Sequence, residues 1–261
     1  MTDLKLREMY QKWIQQVEEC SETKSLLGKS FSNPYYISTP KEWHQAKNKI
    51  LIVGQEGHGE FGSGKTVGWH YKKDINRIQE YNQKYLHIQW NSIRDDLEYK
   101  YNKSCFWKVF RDIKKKADKS STTVSCAWSN IDKIHRLGHG GNNCALLENN
   151  KFNQRKALHT IETKVLLEEI KILMPDIVVF LGTHYTSLEY ALGNPSIRQV
   201  VENKWSINKH EFIVEEFNYK IENGETKTTK LIFRYFHPNA WKKHKGPNYE
   251  EDFLKKIELK N

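Results

Sequence analysis

The chain has 261 residues, with 42 Lys+Arg against 32 Asp+Glu, for a formal net charge of +10. That length supplies one ample core, and 8 Trp, 13 Tyr and 11 Phe exclude a disordered polyampholyte, because aromatic burial offsets chain entropy. The longest apolar run, Ile177 to Leu181, is far too short for a bilayer, and Met1 to Lys5 lacks the apolar core of a signal peptide. Cys20, Cys105, Cys126 and Cys144 are scattered, which favours reduced thiols over a disulfide framework. A cytoplasmic chain without membrane contact is therefore expected, and its positive charge suits a polyanionic partner such as nucleic acid.

In chain order, Leu4, Leu6, Met9, Trp13, Ile14 and Val17 recur at helical spacing and predict an amphipathic helix over about 4–19. Ile50 to Val53, stopped by Gly54, reads as a buried parallel strand. Gly54, Gly57, Gly59, Gly62, Gly64 and Gly68 then crowd a loop that is either tightly turned or functional. The polar stretch over about 72–104 reads as an exposed helical insertion. Phe106, Trp107, Val109, Phe110 and Ile113 predict a helix over 106–116, and Val124 to Trp128 a strand running into Ser129-Asn130. A Gly/Asn-rich loop follows from Gly138 to Asn143.

Val165, Leu166, Ile170 and Leu173 mark a helix that Pro175 stops. Ile177 to Leu181 is a second buried strand, with a helix after it over about 185–192. Phe212 to Tyr219 and Lys230 to Phe236 flank Asn223-Gly224 and predict a hairpin whose last strand ends at His237-Pro238. This alternation predicts an α/β fold, a three-layer α/β/α sandwich with a central, mostly parallel sheet, built as a single domain over 1–261. Ligands bind such sheets at the carboxyl ends of strands. Three of those ends carry unusual chemistry: Gly54 to Gly59, Asn130 and His237.

Gly59, Gly64, Lys65 and Thr66 also fit the phosphate-binding pattern G-x-x-x-x-G-K-T. In a P-loop the first Gly follows its strand directly, whereas here Gln55 to His58 intervene after Gly54. No acid ends the strand Ile177 to Leu181, which runs into Gly182-Thr183. A nucleotide hydrolase is the weaker alternative.

Taken together, five segments resemble the uracil-DNA glycosylase superfamily, over roughly residues 45 to 245. The family's G-Q-D-P-Y-H corresponds to Gly54-Gln55-Glu56-Gly57-His58-Gly59, and its base-stacking aromatic to Trp69. Its base-reading Asn resembles Ser129-Asn130-Ile131, and its penultimate strand Pro175 to His184. Its H-P-S-P-L loop resembles His237-Pro238-Asn239-Ala240-Trp241.

The resemblance implies a DNA glycosylase that flips a base out and hydrolyses its N-glycosidic bond, leaving an abasic site. Glu56 would stabilise the oxocarbenium-like sugar and orient water, and His237 would hold the departing base anion. Gln55, His58, Trp69 and Asn130 would contact the base, with the Asn130 amide reading its Watson–Crick edge. Asn239, Trp241, Lys242, Lys243 and Lys245 would contact DNA, Trp241 as a wedge and the lysines on phosphates.

Each residue also has an ordinary reading. Asn130 suits a cap, His237 a loop, Trp69 and Trp241 a core, and the lysines (like Lys114 to Lys116) a solvated face. A non-catalytic module of the same fold, binding modified DNA, is the rival from another class. The family's Pro-Tyr is replaced by Gly57-His58, which opens the side of the pocket facing C5 of a pyrimidine. The expected substrate is therefore a C5-modified pyrimidine, in repair or in defence against phage with modified DNA. Some relatives hold an iron–sulfur cluster, with a Cys at the position that is Ile134 here; no cluster, metal or other cofactor is expected. The expected active form is a monofunctional monomer, because a lyase step needs an amine nucleophile and Lys65 is the loop's only lysine near the motif.

Overall fold

The computed structural model describes residues 2–20, 35–54, 75, 79–80, 105–131, 133, 162–181, 185–208, 212–234 and 249–260. Helix α1 (Thr2–Glu19) buries Leu6, Tyr10, Trp13, Ile14 and Val17, a single stripe at helical spacing. Leu4, expected on that stripe, is exposed, and Tyr10 takes part instead. The tyrosine is fully buried because its hydroxyl has partners inside the protein.

Strand β1 (Asn48–Gly54) is followed by α2 (Cys105–Lys119), β2 (Val124–Asn130), α3 (Val165–Leu173) and β3 (Ile177–Leu181). Two helices come next, α4 (Tyr185–Leu192) and α5 (Pro195–Asn208). The hairpin β4 (Phe212–Lys220) and β5 (Thr226–Arg234) and then α6 (Tyr249–Lys256) complete the elements. The strands form one five-stranded sheet in the order β2-β1-β3-β5-β4, in which only β4 runs antiparallel, to β5. The fold is thus α/β with a mixed, mostly parallel sheet. Among the described residues no helix is long and apolar enough to cross a membrane.

Helix α3 stops as expected. Met174, just before Pro175, takes a left-handed conformation and returns its N–H to Ile170 O at 2.8 Å. The hairpin turns at Gly224, whose φ of 83° suits glycine, while Asn223 Oδ1 accepts the Glu225 N–H at 3.0 Å. Strand β5 starts at Thr226 rather than at Lys230. Thr226 and Thr228 pair across the hairpin with Lys220 and Asn218, extending the ladder through a stretch that has no hydrophobic pattern.

Helices α5 and α6 were not expected. Their signals are local: Asn194 Oδ1 accepts Ser196 N and Oγ ahead of Pro195 at the first helical turn, and α6 carries acids early and Lys255 and Lys256 late. Lys116, assigned above to a solvated face, instead donates to Leu254 O and Ile257 O, satisfying carbonyls at the end of α6. Gln79, within the stretch expected to be exposed, is buried. It bridges Arg7 Nε and Ile37 O at 2.9 and 3.0 Å.

The core gathers one contiguous cluster from strands and helices, with Phe180 stacked on its register partner Phe233 at 4.7 Å between centroids. Burial and the nearby Glu169 hold the Tyr10 hydroxyl well above its ordinary titration range, and burial does the same for Tyr36. Tyr219 is pushed up to about 12 by burial and Asp176, and burial raises the Cys126 thiol. These groups release protons more readily unfolded than folded. Their contribution is complete below the unfolded values and disappears as pH rises through them toward the folded ones. The melting temperature should stay level to about pH 8.5 and fall steadily above about pH 9. Calorimetry across that range checks this, with Tyr219→Phe expected to flatten the decline.

Candidate functional site

Four parallel strands end on one edge, at Asn130, Gly54, Leu181 and Arg234, in that spatial order. The crossover from β1 leads to β2 on one side, and the chain then passes over β1 to β3 on the other. A topological switch point therefore lies beside β1, where ligands enter sheets of this kind. Gly54 sits at that point, and the chain continues from it into Gln55 and Glu56.

Gln55, Glu56, His58, Trp69, His237, Asn239, Trp241, Lys242, Lys243 and Lys245 lie outside the described residues. Asn130 is the one expected site residue within them. It is the last residue of β2, register partner of Gly54, and 1% exposed. Among the described residues its side chain caps no helix or turn. Oδ1 accepts the Trp128 indole N–H at 3.1 Å, and Nδ2 is buried with no hydrogen-bond partner among the described residues. Indole nitrogen only donates, so this contact fixes which end of the amide faces Trp128 and turns the donor end away from it. A buried, unsatisfied amide donor costs roughly 1–3 kcal/mol unless a partner arrives.

Behind Asn130 lies a polar cluster that the sequence reading did not single out. Lys133 Nζ donates to Asn130 O at 2.7 Å, Ser129 Oγ at 2.5 Å and Glu169 Oε2 at 2.7 Å. Both members of the Lys133–Glu169 ion pair have fully buried side chains. Ser129 Oγ donates to the same carboxylate oxygen at 2.6 Å, and Tyr10 OH donates to Oε1 at 2.5 Å. Tyr10 OH in turn accepts the Ile37 N–H at 2.9 Å. One readable signal existed. Glu169 falls on the apolar face of α3 with Val165, Leu166, Ile170 and Leu173, where an acid needs a partner.

Aromatic rings pack round the same corner. Trp128 meets Tyr35 at 4.7 Å and Trp107 edge-on at 4.9 Å between centroids, and Tyr35 OH donates to Trp128 O at 2.8 Å. Arg234, the last residue of β5, leads toward His237 and would add to the positive charge there if it were exposed. It is instead fully buried, with its guanidinium 5.1 Å from the centre of the Phe253 ring, and so cannot grip a DNA backbone. Among the described residues no three His, Cys, Asp or Glu side chains gather to hold a metal ion. A groove of about 1230 Å³ between α1, α3 and the β4–β5 turn is lined by Lys5, Lys12, Lys164 and Lys220, and by Met174 below β3. It does not include Asn130 or Gly54.

No known protein family matches the chain, and no curated protein matches it.

Removing one member of a buried ion pair strands the other. Lys133→Met should destabilise the protein by about 3–5 kcal/mol in urea unfolding. Lys133→Met with Glu169→Leu should recover most of that loss, because no uncompensated charge remains.

Proposed function

We propose that the protein is a DNA glycosylase of the uracil-DNA glycosylase-like, three-layer α/β/α type, which hydrolyses the N-glycosidic bond of a flipped pyrimidine. The observation that carries this reading is Asn130: a buried amide beside the switch point, one end fixed by Trp128, the other an unfilled donor. Such a group suits the carbonyl of an extruded base better than it suits any structural duty. Further support comes from the helices, which contact one another in two groups, α1, α3, α4 and α5 in one and α2 with α6 in the other. Right-handed crossovers in opposite directions put such groups on opposite faces.

In the proposed reaction, Asn130 Nδ2 donates to the base carbonyl, and Trp69 stacks on the ring. As the bond breaks, Glu56 stabilises the sugar cation and orients the attacking water, while His237 stabilises the leaving base. Gln55 and His58 line the pocket, and Gly57-His58 leaves room for a C5 substituent. Trp241 enters the duplex, Asn239 contacts DNA beside it, and Lys242, Lys243 and Lys245 hold phosphates. The enzyme acts as a cytoplasmic monomer without metal or cofactor, in repair or antiviral defence. It is monofunctional. Lys133, whose ammonium contacts Asn130 O, spreads its three N–H bonds over three acceptors and has no lone pair to offer a sugar.

Mass spectrometry of bases released from uracil-containing and phage-modified DNA tests the reading. Release of a C5-modified pyrimidine is expected, and release of uracil alone would overturn the C5 assignment. Glu56→Ala and His237→Ala should each lower release at least about 100-fold while DNA affinity stays within a few-fold. Survival of release in both would sink the site assignment, and binding with no release in the wild type would favour the non-catalytic module. Lys65→Ala should be silent. Changing Lys242, Lys243 and Lys245 together to Ala should reduce the salt slope of DNA binding by about 1 per lysine.

A further inference from the structure

The peptide unit joining Asn130 to Ile131 is gripped at both of its polar groups. Its carbonyl, Asn130 O, accepts Lys133 Nζ at 2.7 Å, and its N–H, from Ile131, donates to Gly54 O at 2.9 Å. With both groups tied, the peptide plane cannot rotate, and the Asn130 backbone is set before any ligand arrives. The side chain is then fixed by Trp128 Nε1 on Oδ1. Lys133 is itself held at both ends. Glu169 Oε2 and Ser129 Oγ hold its ammonium, Tyr10 OH holds Glu169, and Glu162 Oε1 accepts the Lys133 backbone N–H at 3.0 Å.

A buried ion pair is a poor device for stability alone, since apolar residues of similar volume are often as good or better. What it offers beyond an apolar plug is direction: three short hydrogen bonds from one atom to three fixed acceptors. We infer that Lys133 is a positioning residue, held by Glu169 and Ser129, that locks the Asn130–Ile131 peptide and so presents the Asn130 amide donor preorganised to a flipped base. This rests on the reading of Asn130 as the base-reading amide. The second grip matters equally, because Gly54 leads directly into Gln55 and Glu56. One peptide unit thus ties the reading amide to the start of the segment that carries the proposed catalytic carboxylate.

The test uses the full chain with the double substitution Lys133→Met/Glu169→Leu, which removes both charges together. Two readouts are needed. One is the Trp128 indole ¹⁵N–¹H resonance in Trp-labelled protein, assigned through Trp128→Phe, which reports the bond to Asn130 without any substrate. The other is steady-state release of base from duplex oligonucleotides carrying 5-hydroxymethyluracil or uracil. The double variant should melt near the wild-type temperature, with the Trp128 resonance shifted or broadened. Its kcat should fall about 100-fold, as a misplaced reacting group predicts, while duplex affinity changes only a few-fold. A folded double variant with the Trp128 resonance in place and kcat within about threefold of wild type would overturn the proposal. If the double variant does not fold, Ser129→Ala decides on the same readouts. It removes one of the ammonium's acceptors while keeping both charges, and an unmoved resonance there overturns the proposal too. A wild type that releases neither of these bases, nor any base from the phage-modified DNA, defeats the glycosylase reading, yet the resonance still decides whether Lys133 positions Asn130.

Discussion

Burying an ammonium and a carboxylate together costs each ion several kcal/mol of hydration, and Lys133 and Glu169 offset this only through a complete set of partners. The Asn130 corner of the carboxyl edge is built round that pair. Tyr10 brings α1 into it, Glu169 brings α3, and Ser129 brings β2, so three elements distant in sequence converge on one cluster. The arrangement also explains why a tyrosine sits fully buried on the inner stripe of α1. Its hydroxyl donates to Glu169 and accepts from Ile37, so neither role is left to water.

The sheet order gives that cluster its consequence. With β2 and β3 on either side of β1, the strand that ends at Gly54 has its crossover on one side and a neighbour reached from the other. Gly54 therefore stands at the switch point of the sheet, and the glycine-rich segment follows it in sequence. Asn130 stands beside Gly54 in register, not by loop geometry but by ladder pairing from Asn48↔Val124 through Gly54↔Asn130. A side chain at a strand's last residue keeps the precision of the sheet. The same side chain in a following loop would have to be ordered separately.

The strands were legible because buried parallel strands are continuous apolar runs, and Ile50 to Val53 and Ile177 to Leu181 announce themselves. Sheet order was not, since no periodicity says which strands pair. Helix α5 was missed because its signal is a cap, Asn194-Pro195, ahead of a body in which, among the residues whose burial is described, only Ile197 and Val201 are buried. Asn130 was found through its place after a strand, but its buried donor was invisible without Trp128 folded over it. Lys133 was the least legible. A single lysine in a mixed stretch such as Ile131 to His135 is ordinarily solvated, and long-range contacts to Glu169 and Tyr35 make it a core residue. Lys116 and Arg234 share this lesson: residue type alone suggests a solvated cation, yet one is half-buried on helix carbonyls and the other fully buried against an aromatic ring.

Donor and acceptor accounting at Asn130 narrows what the proposed pocket can accept. The amide has two N–H donors and two carbonyl lone pairs, and Trp128 takes one of the lone pairs. What remains is an acceptor next to donors, all behind a side chain that cannot flip without setting its N–H₂ against the indole N–H. A pyrimidine with a 4-oxo group and a protonated N3 offers the complementary pair, a carbonyl for Nδ2 and an N–H for Oδ1. A 4-amino pyrimidine would set its own N–H₂ against Nδ2 and leave two buried donors facing each other, the kind of mismatch that polar sites reject most strongly. On the glycosylase reading, selectivity at position 4 then resides in Trp128 as much as in Asn130, because the indole chooses which face of the amide the base meets. Selectivity at C5 is a separate matter for Gly57-His58. The two can vary independently, which allows a single amide geometry to serve uracil and its C5-substituted derivatives alike.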